Sequence, residues 1–224
     1  MSEHSSHIDF IRVAEPITRL ETKFGGSPVW LERPEWPLSR SSGQPMIFIG
    51  QIALEPDQFP NAVARMAYVF IADDPGGETW DADSGENAVV LQPGSIDIEH
   101  RDLRTGPTVP VALENPRNGE VEYVPAEFAV RLSKRAEPGF ARMSELHAWT
   151  PAERDKYVAA LEGNKIGGSP LFLDDARLPF EDWRLILQMD SSRVPFFVNF
   201  GFGGWGYAIA NADCSRAKFL WQSG

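Results

Sequence analysis

Apolar residues along the chain fall into short runs separated by clusters of Pro, Gly and Ser, the pattern of many short strands joined by turns. "MIFIGQIAL", Met46 to Leu54, is a continuous apolar run of the length of a buried strand, and Ala67 to Ala72 predicts another. Glu127 to Arg135 alternates apolar and polar positions, which predicts a half-buried strand. Ahead of these, a polar tail gives way to extended segments between Ile8 and Leu20, broken at Pro16. Trp30 to Pro45 is a loop by its Pro, Ser and Gly content. One helix is predicted over 151–162. Thr150 suits an N-cap, Pro151 the first helical position, and Glu153 completes a capping box. Tyr157, Val158 and Leu161 form its apolar stripe, and Gly163 ends it.

The apolar runs also repeat. "KFGGSPVW" begins at Lys23 and "KIGGSPLF" at Lys165. Each is followed by an apolar run holding one glutamine, Gln51 or Gln188, and then by an apolar run with one tyrosine, Tyr68 or Tyr207. Three landmarks recurring in one order, about 140 residues apart, predict an internal duplication. Two copies are too few for a solenoid, so the expected arrangement is two β-rich halves, about 10–135 and 136–224, related by a pseudo-two-fold axis. No flexible linker divides them, which predicts a single globular domain over 1–224.

The same ordered set resembles the YwqG-like family, a family without an assigned activity. The matching segments are Lys23–Pro28, Phe48–Leu54, Lys165–Pro170, Leu185–Asp190 and Gly201–Ile209. The resemblance implies an α+β protein, mostly antiparallel sheet with few helices and internal pseudo-symmetry. It implies no catalytic residues.

Composition narrows the partners. The 21 basic and 32 acidic residues give a formal charge of −11, which disfavours nucleic acid and anionic membrane surfaces. No apolar run approaches the ~18 residues of a membrane span, and "MSEHSSHIDF" lacks the blocks of a signal peptide, so the expected location is the cytoplasm. Cys214 is the single cysteine and is expected to be buried and inert.

The chemistry-bearing motifs are sparse. "FGFGGWGYAIA" contains the spacing of a dinucleotide loop at Gly201, Gly203 and Gly206, but a strand-like run follows where a helix is needed. The glycines are therefore read as bulges or close approaches between paired strands, after a strand at "PFFVNF". No nucleophile elbow or phosphate loop is present. The acidic stretch from Asp73 to Glu86 offers Asp81, Asp83 and Glu86 as oxygen donors, yet lacks the full calcium-loop pattern and is read as a solvated loop. No metal or cofactor is expected.

The ligand-binding candidates are Lys23, Gln51, Lys165, Gln188 and Trp30. Each lysine precedes a Gly-Gly turn whose N–H groups can face an anion. Each glutamine lies in an apolar run, where its amide needs partners. One account has each glutamine tie its strand to the neighbouring turn. The sharper one brings both lysines and both amides to a cleft between the halves. Trp30 and Trp36 flank a Pro-rich loop and are the tryptophans expected at the surface. The resulting expectation is a non-catalytic binding module for a peptide or small anionic ligand. The alternatives are a protein-docking factor, of an immunity or regulatory kind, and a carboxylate-based hydrolase.

Overall fold

The computed structural model describes residues 3–73, 78–94, 105–173 and 182–223. In chain order the elements are β1 (Glu3–Arg12), β2 (Lys23–Gly25), β3 (Ile47–Ala53), β4 (Met66–Ile71), β5 (Asn87–Gln92), β6 (Pro110–Glu114) and β7 (Val121–Pro125). Then follow β8 (Glu127–Glu137), α1 (Met143–Leu146), α2 (Pro151–Leu161), β9 (Lys165–Gly167), β10 (Arg184–Asp190), β11 (Trp205–Ala210) and β12 (Ala217–Gln222). The fold is mostly antiparallel β with two helices among the described residues.

Ten strands form one sheet in the order β12-β11-β10-β9-β1-β8-β2-β3-β4-β5, and β6 pairs with β7 in a separate ribbon. β1 and β8 are the seam, antiparallel from Glu3 opposite Glu137 to Arg12 opposite Phe128. β9 adds to β1 and β2 adds to β8. The N-terminal strand therefore extends the C-terminal arm, so the boundary expected near 135 does not describe how strands are shared. Nor do residues 3–10 form a tail. "EHSSHIDF" is central strand, because its inward polar groups find partners: Ser6 Oγ donates to Gln58 Oε1 (3.3 Å) and Ser5 Oγ to Glu137 (2.6 Å).

β3 and β4 are buried on both faces, which is why they read as continuous apolar runs. On one face Ile49, Ile52, Val69 and Phe24 join Leu187, Met189, Ala208 and Phe219 in a core drawn from both arms. The arms curl far enough for edge strands β5 and β12 to approach each other, where Lys218 pairs with Asp83 and Trp221 Nε1 donates to Thr79 Oγ1 (3.1 Å). On the outer face Trp30 and Trp36 cover Phe48, Tyr68 and Phe70. Trp30 packs at a tilt against Tyr68 at 4.6 Å, and Trp36 Nε1 donates to the Met46 carbonyl (2.8 Å). Both tryptophans are thus buried, against the expectation of exposure: the Pro-rich loop folds back over β3 and β4 instead of standing in water.

The helix over Pro151–Leu161 has the predicted reciprocal capping box between Thr150 and Glu153. "PFFVNF" is irregular, although Phe196 packs edge-on to Phe10 at 5.6 Å. Gly201 (φ +72°) and Gly203 (φ +61°) make a tight turn, while Gly206 lies in β11, where a Cβ would sit 2.7 Å from the Phe200 ring. No helix among the described residues is long and apolar enough to cross a membrane.

Candidate functional site

The three repeated landmarks stand side by side. Lys23 is opposite Gln51, and Gln51 is opposite Tyr68, on adjacent strands. In the other arm Lys165 is opposite Gln188, and Gln188 opposite Tyr207. Each row holds the segment after a Gly-Gly turn by the same bonds. Gln51 Oε1 accepts from Val29 N (2.7 Å), and Gln188 Oε1 from Leu171 N (2.8 Å). Tyr68 Oη donates to the Val29 carbonyl (2.8 Å), and Tyr207 Oη to the Leu171 carbonyl (2.7 Å). Burial drives both phenols well above their ordinary pKa, so they stay neutral donors.

The turns need glycine twice over. Gly25 and Gly26, like Gly167 and Gly168, are consecutive residues at positive φ, which returns the Ser27 and Ser169 carbonyls to the lysines (both 2.6 Å). A Cβ on Gly26 would lie 2.4 Å from the Glu127 carboxyl, and one on Gly168 2.4 Å from Glu137 Oε2. The carboxylates rest directly on the turns.

The two ends differ in closure. Lys165 and Glu137 have side chains fully shielded from solvent. Glu137 Oε1 accepts from Ser5 Oγ (2.6 Å), His7 Nε2 (3.3 Å) and Lys165 Nζ (3.0 Å). Its Oε2 accepts from Lys165 Nζ (3.0 Å) and Ser169 N (3.1 Å). Ser169 Oγ donates to the Pro138 carbonyl (2.8 Å), fastening the chain after β8 over the turn. The helices pack Tyr157 and Leu161 against Leu171 alongside, and Gln188 Nε2 donates to the Leu161 carbonyl (2.9 Å) at the end of α2. Burial opposes ionisation of Glu137, but the bonds from His7 and Ser5 and the charge of Lys165 outweigh it and hold the carboxyl below its usual range. Burial pushes Lys165 down from its ordinary value.

At the Lys23 end an open groove of about 1000 Å³ lies over the pair. Its walls are residues 12–18 after β1, residues 26–30 after the turn, and residues 125–127 entering β8. Lys23 has only 1% of its side chain exposed, whereas Glu127 has 12%. The ammonium donates to the Ser27 carbonyl (2.6 Å), the Ile17 carbonyl (3.4 Å) and Glu127 Oε1, so its three protons are used. Glu127 Oε1 also accepts from Ile17 N (3.1 Å), pinning the rim. Burial lowers the Lys23 pKa, partly offset by Glu127.

Lys23 and Trp30 therefore meet at one groove, with Gln51 beneath it holding Val29. Lys165 and Gln188 belong to the other end. Glu127 and Glu137 lie at opposite ends of β8, roughly 30 Å apart at ~3.3 Å per residue. Among the described residues the two lysines do not share a cleft, because the seam strands stand between β2 and β9. Sequence reasoning missed both glutamates: they lie outside the repeated motifs, and only their strand-terminal positions mark them.

Elsewhere, Asp81, Asp83 and Glu86 do not converge. Glu86 accepts from Ser39 Oγ (2.6 Å) and Ser41 N (2.7 Å), while Asp83 pairs with Lys218. Among the described residues no group of three or more His, Cys, Asp or Glu side chains is placed to hold a metal. Cys214 is buried, and burial raises its thiol pKa.

A comparison with curated proteins finds no match. The model of a family described as a domain of unknown function, DUF1963, matches residues 22–220, which include both lysine turns, both glutamine strands and both glutamates. The chain belongs to the DUF1963 family.

Proposed function

We propose that the protein is a binding module, one globular domain built by internal duplication, whose groove over the Lys23–Glu127 pair takes an extended peptide or a small polar ligand. The two rows, with matching bonds on either side of the β1–β8 seam, support a pseudo-two-fold axis through that seam. One observation carries the functional reading: of two matching frames, the first is left open over about 1000 Å³ and the second is sealed. The groove is bounded by rigid turns and its floor is a buried ion pair, features of a preformed site. Attraction of an anion by Lys23 loses its basis, since that ammonium is saturated by protein acceptors.

Ser27 is exposed and lines the groove, so Ser27→Trp fills it without disturbing the bond made by its carbonyl. In a titration with mixed short peptides followed by amide NMR, shifts should cluster at 12–18, 26–30 and 125–127 and vanish in S27W. Shifts elsewhere, or shifts that persist in S27W, would contradict the reading. A docking role has one observation of its own: Phe202 is held outward between two positive-φ glycines with 95% of its surface exposed. A change in self-association or partner capture on Phe202→Ser would favour it.

A further inference from the structure

We propose that the group recognised by the groove is a primary ammonium, received by Oε2 of Glu127. The inference rests on the groove being a binding site and specifies its chemistry. It starts from a comparison of hydrogen bonds at the two ends. The sealed carboxylate, Glu137, is satisfied on both oxygens: Ser5, His7 and Lys165 reach Oε1, and Lys165 and Ser169 N reach Oε2. At the open end Lys23 and Ile17 N both go to Oε1 of Glu127, and no donor among the described residues reaches Oε2.

The register explains the difference. Gly167 stands opposite Ser5 in β1, and Gly25 stands opposite Glu127 in β8. The carboxylate at the open end therefore occupies the place of the serine at the sealed end. Lys165 is opposite His7, whereas Lys23 is opposite Ala129. Where one end has an imidazole that donates to its glutamate, the other has a methyl group. Glu127 thus brings to the groove one carboxylate oxygen, resting on the Gly26 turn, that no donor among the described residues reaches.

Charge then selects among donors. Lys23 neutralises Glu127 only from below, through Oε1, and the exposed rim residues Arg12 and Glu15 offset each other. The whole chain carries −11, which favours approach of a cation over an anion. Geometry selects among cations. A guanidinium is best received by two carboxylate oxygens side by side, and one of these is taken. An ammonium needs a single strong acceptor and carries its remaining protons to water or carbonyls. Pro16, Ile17 and Pro28 line the walls and suit an alkyl stem behind it.

The test uses probes that share one stem: n-butylammonium, butyrate and N-butylacetamide, with argininamide as the guanidinium arm. Each is titrated into the full chain while the amides of Ile17, Gly26 and Ser27 are followed by NMR. Butylammonium should give saturable shifts there, at least about tenfold tighter than the other three. The paired variant K23M/E127Q removes both charges and keeps an acceptor for Ile17 N, and it should weaken butylammonium by about tenfold or more. Preference for butyrate, N-butylacetamide or argininamide in a groove that still binds overturns the ammonium assignment and leaves the groove reading intact. Absence of groove shifts with every probe and with the mixed peptides overturns both. The comparison among probes needs no variant, so a poorly folded K23M/E127Q does not rescue the proposal.

Discussion

Lys165→Met should destabilise the protein far more than Lys23→Met, although the two lysines occupy matching frames. In the first case the Glu137 carboxylate remains in a place with no solvent exposure, with Ser5, His7 and Ser169 as its remaining donors and no lysine. Removing one partner of a buried pair costs about 3–5 kcal/mol. The Ser169 carbonyl also loses a donor at 2.6 Å, worth ~1 kcal/mol. In the second case Glu127 is 12% exposed and borders the groove, so water reaches the orphaned charge and the expected loss is ~1–3 kcal/mol. Against a total stability of ~5–15 kcal/mol the difference is easily resolved. Urea unfolding at pH 7, followed by tryptophan fluorescence, measures both. K165M/E137L, which removes both charges, should recover part of the K165M loss, the rest being kept by Ser5, His7 and Ser169 N, which lose their acceptor. A K165M cost below ~1 kcal/mol, or one no larger than that of K23M, would refute the contrast between a sealed and an open pair.

Other expectations follow from the same contacts. Because Glu137 is held below its usual range, its contribution is complete above the unfolded carboxylate pKa of ~4.3 and is lost as pH falls through the lower folded value. Wild-type stability should therefore drop more steeply on acidification than that of K165M/E137L; parallel curves would contradict this. Gly168→Ala forces a Cβ against a carboxylate that cannot move, whereas at Gly26 the Glu127 side chain can swing into the groove. Both substitutions should cost ~1 kcal/mol for backbone strain at positive φ, with a larger total at Gly168 seen in thermal melts. Cys214 should resist an aromatic disulfide reagent in the native state and react promptly in denaturant, since burial raises its thiol pKa and shields it.

Much of this architecture was legible, for physical reasons. A Gly-Gly pair before Ser-Pro is demanded by two consecutive left-handed residues, and a glutamine in an apolar run supplies the partners of an amide and a carbonyl on the neighbouring segments. Those constraints leave the same residues in the same order twice. Strands β3 and β4, buried on both faces, were equally plain. The failures came where polar composition was read as exposure. "SEHSSHIDF" has the look of a tail, yet Ser5, Ser6 and His7 reach Glu137 and Gln58 across neighbouring strands. Trp30 and Trp36 follow the same lesson, since Pro-rich loops can lie flat over a sheet. Glu127 and Glu137 gave no signal because a carboxylate at a strand end is recognisable only by what the sheet sets beside it.

The central claim is that Oε2 of Glu127, which no donor among the described residues reaches, receives an ammonium at the groove, while both oxygens of Glu137 are already taken. Side-chain carboxyl ¹³C resonances of Glu127 and Glu137 report on this directly during titration with n-butylammonium. The Glu127 resonance should move to saturation in step with the Ser27 amide, and that of Glu137 should stay fixed. A Glu127 carboxyl that is unmoved while the probe saturates the protein, or equal movement of both carboxyls, would contradict the account.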